Sequence, residues 1–468
     1  MAQAMIDKNT EDLGKSPILP LLVRLSIPGI IGMLVMSLYN IVDTYWVSGL
    51  DDGTNAIAAL TILWPIQMIS AAIAMGTGVG VSSLVSRRSG QGRHEAVADA
   101  AGHGIAVPFL VGAVMLVVCA TIPRQLAVIF GAPPEVVEYT AGYLRYLAWG
   151  FPAMFVVMSF NGFYRGMGNA VTPMLIMITS AVTNMTVDPF LIYGWGPFPE
   201  MGIEGAGIST VIAEIAALTL SMGYFLSPRS PYTINWHNLR LQIPVLTDIA
   251  QVGAPSAAMA FLRPVVGVAF NWALYGFGPE AIAAQGIGMR IMGLMVAFAI
   301  GLHQGLLPIV GFNFGAKRLQ RMWRAFITAV VIGVCMGLVF VGISLIGGEA
   351  IVRIFTDEPE VVGLAVLALV LKVASMPFME PQMMTVALLE GMGDGKRALI
   401  LTLCRQLLFV LPLVWLLPHF FGVTGVFVSQ TVASVLSVAL AAWLARNAYR
   451  RYPPADTTPQ EAVVMGGK

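Results

Sequence analysis

The chain has 468 residues, 57% of them hydrophobic and only 11% charged, with a mean hydropathy of +0.79. A soluble domain carries about 25% charged residues, so composition excludes a disordered chain and an ordinary soluble enzyme and makes lipid the expected solvent. The formal net charge of +1 gives no electrostatic ground for a nucleic-acid partner.

Residues 1–17, with Asp7, Lys8, Glu11, Asp12 and Lys15, read as a polar cytoplasmic tail rather than a signal peptide. Apolar stretches then fall at about 20–49, 55–85, 96–122, 136–160, 170–194 and 203–227, an N-lobe spanning 18–227. Residues 228–245, with Pro228, Pro231 and Pro244, read as a cytoplasmic connector. A C-lobe, 246–447, carries stretches at about 246–276, 280–307, 323–348, 360–386, 398–418 and 422–446, and 448–468 form a cytoplasmic tail. The fourth and tenth stretches are the weakest, because Arg145 and Lys372 interrupt them. All twelve are too long and too uniformly apolar for barrel strands, so the expected fold is an all-α polytopic membrane protein. Cys119, Cys335 and Cys404 all lie in apolar runs and make neither a disulfide framework nor a metal-ligand cluster.

Basic residues mark one side of the membrane: Arg87, Arg88 and Arg93; Arg229 and Arg240; Lys317, Arg318, Arg321 and Arg324; Lys396 and Arg397; Arg446, Arg450 and Arg451. The alternate loops hold mainly acids, among them Asp51, Asp52, Glu135 and Glu138. Both termini are therefore expected in the cytoplasm, and an even number of spans follows.

An internal repeat recurs at about 225 residues. Ala56-Ile57-Ala58-Ala59 returns as Ala281-Ile282-Ala283-Ala284, and Pro134-Glu135-Val136-Val137 as Pro359-Glu360-Val361-Val362. Gly166-Met167-Gly168 returns as Gly391-Met392-Gly393, Pro28 as Pro255, and Gly202-Ile203-Glu204-Gly205 as Gly422-Val423-Thr424-Gly425. Each copy carries six spans, so both enter the membrane from the same side. Two lobes related by a pseudo-twofold axis along the membrane normal are expected, an arrangement suited to alternating access.

Four acids fall well inside predicted spans, away from their ends: Asp43, Asp188, Glu214 and Glu380. Carboxylates are costly in hydrocarbon and mark ion or substrate paths. Asp43 and Asp188 lie at matching depth in spans one and five. Tyr39 and Asn184 each stand four residues before one of them, on the same helical face. Desolvation and mutual repulsion disfavour charge on crowded carboxylates, so such a pair can load and release a proton near neutral pH. The same oxygens, with Asn184 and the Thr210 hydroxyl, can instead hold sodium; a structural hydrogen-bond network is the plain alternative. Pro189, directly after Asp188, frees a backbone carbonyl and bends its helix. Glu380 either binds a cationic substrate or a second ion, or pairs with Arg263, Arg290 or Lys372. Glu214 reads as a structural partner, Arg405 as a carbonyl cap or an acid's partner, and His303 as a packed, satisfied histidine. Among the 27 methionines, Met36, Met158 and Met292 are candidates for a deformable apolar cleft. Gly76-Thr77-Gly78-Val79-Gly80 follows no strand, so it reads as a close-packing stripe and not as a nucleotide loop. No P-loop occurs, and no loop holds a cluster of nucleophile, base and acid; neither a bound cofactor nor an enzyme is expected.

These features resemble the multidrug and toxic compound extrusion (MATE) family across about residues 18–447. The resemblance rests on Pro28 and Pro255, Tyr39…Asp43, the two Gly-Met-Gly motifs, and Asn184…Asp188-Pro189 leading to Pro199…Gly202…Gly205-Ala206…Thr210. It implies a secondary antiporter that expels amphiphilic, often cationic, compounds in exchange for protons or sodium. Asp43, Asn184, Asp188 and Thr210 match the cation site of the bacterial and archaeal DinF-like branch, with Tyr39 in the same pocket. The NorM-like branch carries acids in spans seven and ten; here span seven has Arg263 and span ten has Glu380. The expectation is a drug/proton antiporter of the bacterial inner membrane, hinged at Pro28 and Pro189. Its partners are small-molecule drugs and dyes, H+ or Na+, and the lipid bilayer, and it acts as a monomer. Sodium coupling is the near alternative, and a lipid-linked saccharide flippase of the same superfamily, favoured by Arg263 and Arg290, the remoter one.

Overall fold

The computed structural model describes residues 2–50, 53–227, 238 and 242–454. Asp51, Asp52, most of the connector including Arg229 and Arg240, and the C-terminal tail from 455 lie outside the described residues. Among the described residues every regular element is helical.

A short helix α1 (Ala2–Lys15) precedes α2 (Ile18–Ser48), α3 (Gly53–Gly90) and α4 (His94–Thr121). After α5 (Pro123–Ile129) come α6 (Val137–Leu147) and α7 (Phe151–Gly166), which together make one span, then α8 (Val171–Ile192) and α9 (Gly202–Leu226). The second half holds α10 (Ile243–Leu274), α11 (Pro279–Gly315) and α12 (Leu319–Val352). Next, α13 (Pro359–Val373) and α14 (Met376–Met392) form one span bent by 41°. Then α15 (Gly395–Leu403) and α16 (Leu411–Leu416) are joined by a π-helical turn, Cys404–Val410, and α17 (Pro418–Arg451) is last. Eleven helices are long and apolar enough to cross a bilayer on their own, and the bent pair is the twelfth. The sequence-predicted spans agree with these helices to within a few residues at most ends; the eighth runs on to Gly315. Faces of α4 and α12 carry exposed Leu110, Val114, Val117, Leu338, Val339 and Ile346. Such continuous apolar exposure is stable only against lipid.

The repeat is written into the backbone. The two Gly-Met-Gly motifs close α7 and α14 with Gly168 and Gly393 at φ +77° and +83°. Gly202, which opens α9, and Gly422, at the kink inside α17, stand at +56° and +58°. Each of these is a left-handed conformation that only glycine adopts without strain.

Contacts divide the chain into two compact units. The first contains 31–85 and 93–253; the second contains 11–30, 86–92 and 254 onward. The boundaries fall inside helices: two residues beyond Pro28 in α2 and just before Pro255 in α10.

In the first unit, glycines let backbones touch. A Cβ on Gly162 would meet the Gly78 carbonyl oxygen at 2.0 Å, one on Gly253 the Gly76 oxygen at 2.0 Å, and one on Gly80 the Ile249 oxygen at 2.2 Å. The 76–80 stripe is thus a two-sided packing seam joining α3 to α7 and to α10, as its composition predicted. In the second unit, Gly301 and Gly305 of α11 lie against Ser26 and Ile30 of α2. The residues read as a polar tail form α1, whose last turn is fastened to the same unit. Asn313 Nδ2 donates to the Leu13 carbonyl at 2.9 Å and Arg318 to the Gly14 carbonyl at 2.9 Å, while Arg321 donates to the carbonyls of Leu13 and Ser16. These cations meet the negative end of the α1 dipole.

Candidate functional site

In the first unit α2, α8 and α9 bring the predicted cation-site residues together. Asn184 Nδ2 donates to Ser209 Oγ at 3.2 Å and to Thr210 Oγ1 at 3.4 Å. The Ser209 hydroxyl donates to Asp188 Oδ1, and the Thr210 hydroxyl to the Ala206 carbonyl at 3.0 Å. Tyr39 lies within hydrogen-bonding reach of Thr210 and within electrostatic reach of both Asp43 and Asp188. Asp43 and Asp188 also lie within electrostatic reach of each other. Asp188 is fully buried and Asn184 nearly so. The register is locked beyond the site, where the Tyr193 hydroxyl after α8 donates to the Trp46 carbonyl of α2. Trp46, Tyr193 and Trp195 pack edge-on and stacked around that bond.

Three buried oxygens in this cluster, Asp43 Oδ1, Asp188 Oδ2 and Asn184 Oδ1, have no hydrogen-bond partner among the described residues. Buried polar atoms are nearly always paired, so three orphan acceptors in one place form a donor set for a proton or a hard cation. Two cavities flank it. One of about 20 Å³, room for one water-sized body, is bounded by Met36, Tyr39, Asn184, Thr210 and Glu214. The other, about 470 Å³, lies where Asp43 and Asn40 of α2 face Trp64 and Gln67 of α3.

Sequence reasoning missed Ser209, Tyr143 and Gln67. Ser209 is the immediate neighbour of Thr210. Tyr143 of α6 reaches Thr210 and Gln67 and sits near both acids. Glu214, read as a structural partner, faces the small cavity instead. Pro28 and Pro189 both lie inside continuous helices, Pro189 three residues before the end of α8.

The second unit corrects several expectations. Glu380 is fully buried against Gly333 of α12, and neither carboxylate oxygen has a hydrogen-bond partner among the described residues. Of the two readings of Glu380, pairing with Arg263, Arg290 or Lys372 does not form among the described residues: Arg263 and Lys372 line a pocket that Glu380 does not, and Arg290 is exposed. Arg405, expected to cap carbonyls or meet an acid, instead makes a 3.5 Å contact with the Gln382 amide oxygen and no ion pair among the described residues. Met292 and Arg263 do line that pocket; Met158 instead packs, half-buried, against the apolar core of the first unit.

His303 is buried as expected, and its partner is an acid the sequence did not single out. Glu390, fully buried at the end of α14, accepts from Ser256 at 2.7 Å and lies 2.9 Å from His303 Nε2. Glu390→Ala strips both of their partner, and breaking a buried pair costs about 3–5 kcal/mol. A large drop in the thermal unfolding midpoint of the solubilised protein is expected, and an unchanged midpoint would refute the structural role.

Among the described residues no three His, Cys, Asp or Glu side chains converge as a metal-ligand set. Twelve apolar spans around buried ionisable clusters define a polytopic membrane transporter. The MatE family model matches twice, at residues 28–190 and 255–416, so each half carries the family unit. The chain belongs to the MATE family, whose members are membrane transporters and not enzymes. It is 27% identical to the multidrug export protein MepA of Staphylococcus aureus (strain NCTC 8325 / PS 47), over 94% of this chain and 96% of that protein. It is 28% identical to the FAD transporter of Shewanella oneidensis (strain MR-1), over 94% and 97%. The crystal structure of a MATE protein in complex with MaD3S superposes with a TM-score of 0.88 at 26% identity, covering 95% of this chain and 99% of that one.

Proposed function

We propose that the chain is a multidrug efflux antiporter in which proton entry drives export of amphiphilic organic compounds. The observation that carries this reading is the convergence of Asp43 and Asp188 with three unpaired buried oxygens. Protons loaded on these acids and substrate bound elsewhere disfavour each other, so binding of one drives release of the other; by linkage the antagonism is reciprocal. The lysine and arginine distribution supports both termini in the cytoplasm, and the bacterial relatives support insertion in a bacterial cytoplasmic membrane. The relatives named for drug export and for FAD transport support aromatic amphiphiles as the substrate class.

The test is proton release from lightly buffered, detergent-solubilised protein on addition of a cationic dye. Stoichiometric release is expected from the native protein and none from an Asp43→Asn, Asp188→Asn double variant. Release undiminished in that variant overturns the coupling role. The oxygen-only character of the cluster, two carboxylates, an amide and hydroxyls, favours sodium as the second reading. Dye efflux driven by a sodium gradient at fixed pH separates the two.

A further inference from the structure

The second unit holds a pocket whose charge has no counterpart in its own walls. Arg263 of α10, Lys372 at the end of α13 and Arg405 of the π-helical turn all line a cavity of about 180 Å³. Lys372 is 1% exposed and Arg405 6%. Guanidinium groups stay protonated at any physiological pH, and Arg405 lies within electrostatic reach of Arg263, so like charges face one space. No aspartate or glutamate lines the pocket. Among the described residues none of the three cations forms an ion pair. Glu380, on the helix that supplies Met379 and Met383 to the pocket wall, turns its carboxylate to Gly333 of α12 instead.

Two further observations point to a ligand. Arg405 Nε and both amide atoms of Gln285, itself 1% exposed, are buried without partners among the described residues. The backbone is also unwound where it serves the pocket. The Leu411 N–H bonds the Gln406 carbonyl five residues back, and this wide turn brings both Arg405 and Gln406 to the cavity. A π-turn strains a helix and is retained mostly where a side chain must be re-aimed. The remaining wall is apolar and polarizable: Phe270 lies 5.0 Å beneath Lys372 Nζ, with Met292, Met379 and Met383 alongside.

We propose that this pocket binds an organic anion: the carboxylate or phosphate head group sits among Arg263, Lys372 and Arg405, and an attached aromatic ring lies on the methionines. The cavity is smaller than the roughly 300–1,000 Å³ of whole-ligand sites, so it takes the head group and the adjoining ring. That the bound anion is cargo rests on the transporter reading above; its binding does not.

The experiment is equilibrium binding to the full-length protein in phosphatidylcholine nanodiscs. The probes are 1-naphthoate and 1-naphthyl phosphate, and the controls are the neutral 1-naphthalenemethanol and the cationic 1-naphthylmethylammonium. Saturable binding of the two anions, at least about tenfold tighter than either control and weakened by salt, is expected. Lys372→Met and Arg405→Gln should each lower anion affinity about tenfold. Ligand-free Lys372→Met should unfold no earlier than the native protein, because it removes a buried amine that has no acidic partner among the described residues. Anions bound no tighter than the alcohol, or anion affinity unchanged in both variants, overturns the proposal. Nanodiscs containing phosphatidylglycerol distinguish the sources. Competition with the probes assigns the anion site to a lipid head group, and its absence assigns it to a soluble anion. Asp188 lines no part of this pocket, so in Asp188→Asn the two anions should still bind tighter than the alcohol and the amine even where coupling changes their absolute affinity. Failure of coupling and failure of this site are therefore read separately.

Discussion

Asp188→Asn in reconstituted vesicles is expected to lower proton-driven dye export roughly 100-fold or more, equivalent to about 2.7 kcal/mol, without unfolding the protein. Asparagine has nearly the shape of aspartate, and its amide oxygen can still accept from the Ser209 hydroxyl. What it lacks is the ability to take up a proton or balance a cation. Removing a fully buried carboxylate with one unpaired oxygen also removes a desolvation cost, so the unfolding midpoint should hold or rise. The pair of readouts decides: export lost with the midpoint intact identifies a coupling group. Export retained removes Asp188 from the mechanism, and export lost together with folding makes it structural. Ser209→Ala tests positioning. It leaves the acid in place but takes away the hydroxyl that fixes it, so the pH profile of export should shift while maximal export survives.

Gly162→Ala is expected to be among the most damaging single methyl additions in the first unit. The new Cβ would stand 2.0 Å from the Gly78 carbonyl oxygen and 2.7 Å from its carbon. Both are backbone atoms of a long helix, so no side chain can swing aside and α3 and α7 must part. Overpacking costs about 1–3 kcal/mol, occasionally more, and the rigid neighbours place this case at about 3 kcal/mol. The check is the thermal midpoint measured beside Gly223→Ala. Gly223 has nothing within 4 Å of its added Cβ, and there the better helix former should stabilise by up to about 1 kcal/mol. Equal midpoints for the two variants would show that the glycine seam does not hold the unit together.

The features legible in the sequence were those carried by long runs or fixed spacing. Twelve spans follow from apolar runs bounded by charge and glycine, and the duplication from motifs such as Gly166-Met167-Gly168, whose left-handed glycines now explain why both copies keep them. Asp43 and Asp188 were legible because a carboxylate in an apolar run is conspicuous, and their convergence was inferred from depth alone. Azimuth was not legible. A span apolar on all sides gives no sign of which residues face inward, so Ser209 was passed over beside Thr210 and Glu380 was offered cations that face elsewhere. Glu390 was hidden by its place next to the Gly-Met-Gly turn, where an acid looks exposed. The N-terminal helix was read as a tail because its own sequence is polar; its order comes from Asn313, Arg318 and Arg321, about 300 residues away.

The anchoring of residues 11–30 within the C-terminal unit bears on how the protein is made. At translation speeds of roughly 5–20 residues per second, the 300 residues that separate Leu13 from Asn313 take about 15–60 s to emerge. Throughout that interval the leading segment is in the bilayer without its eventual neighbours, so the second unit cannot be completed while the ribosome is still in the first. Two fragments divided at the connector would likewise each be unfinished, the later one lacking a piece that only the earlier one encodes.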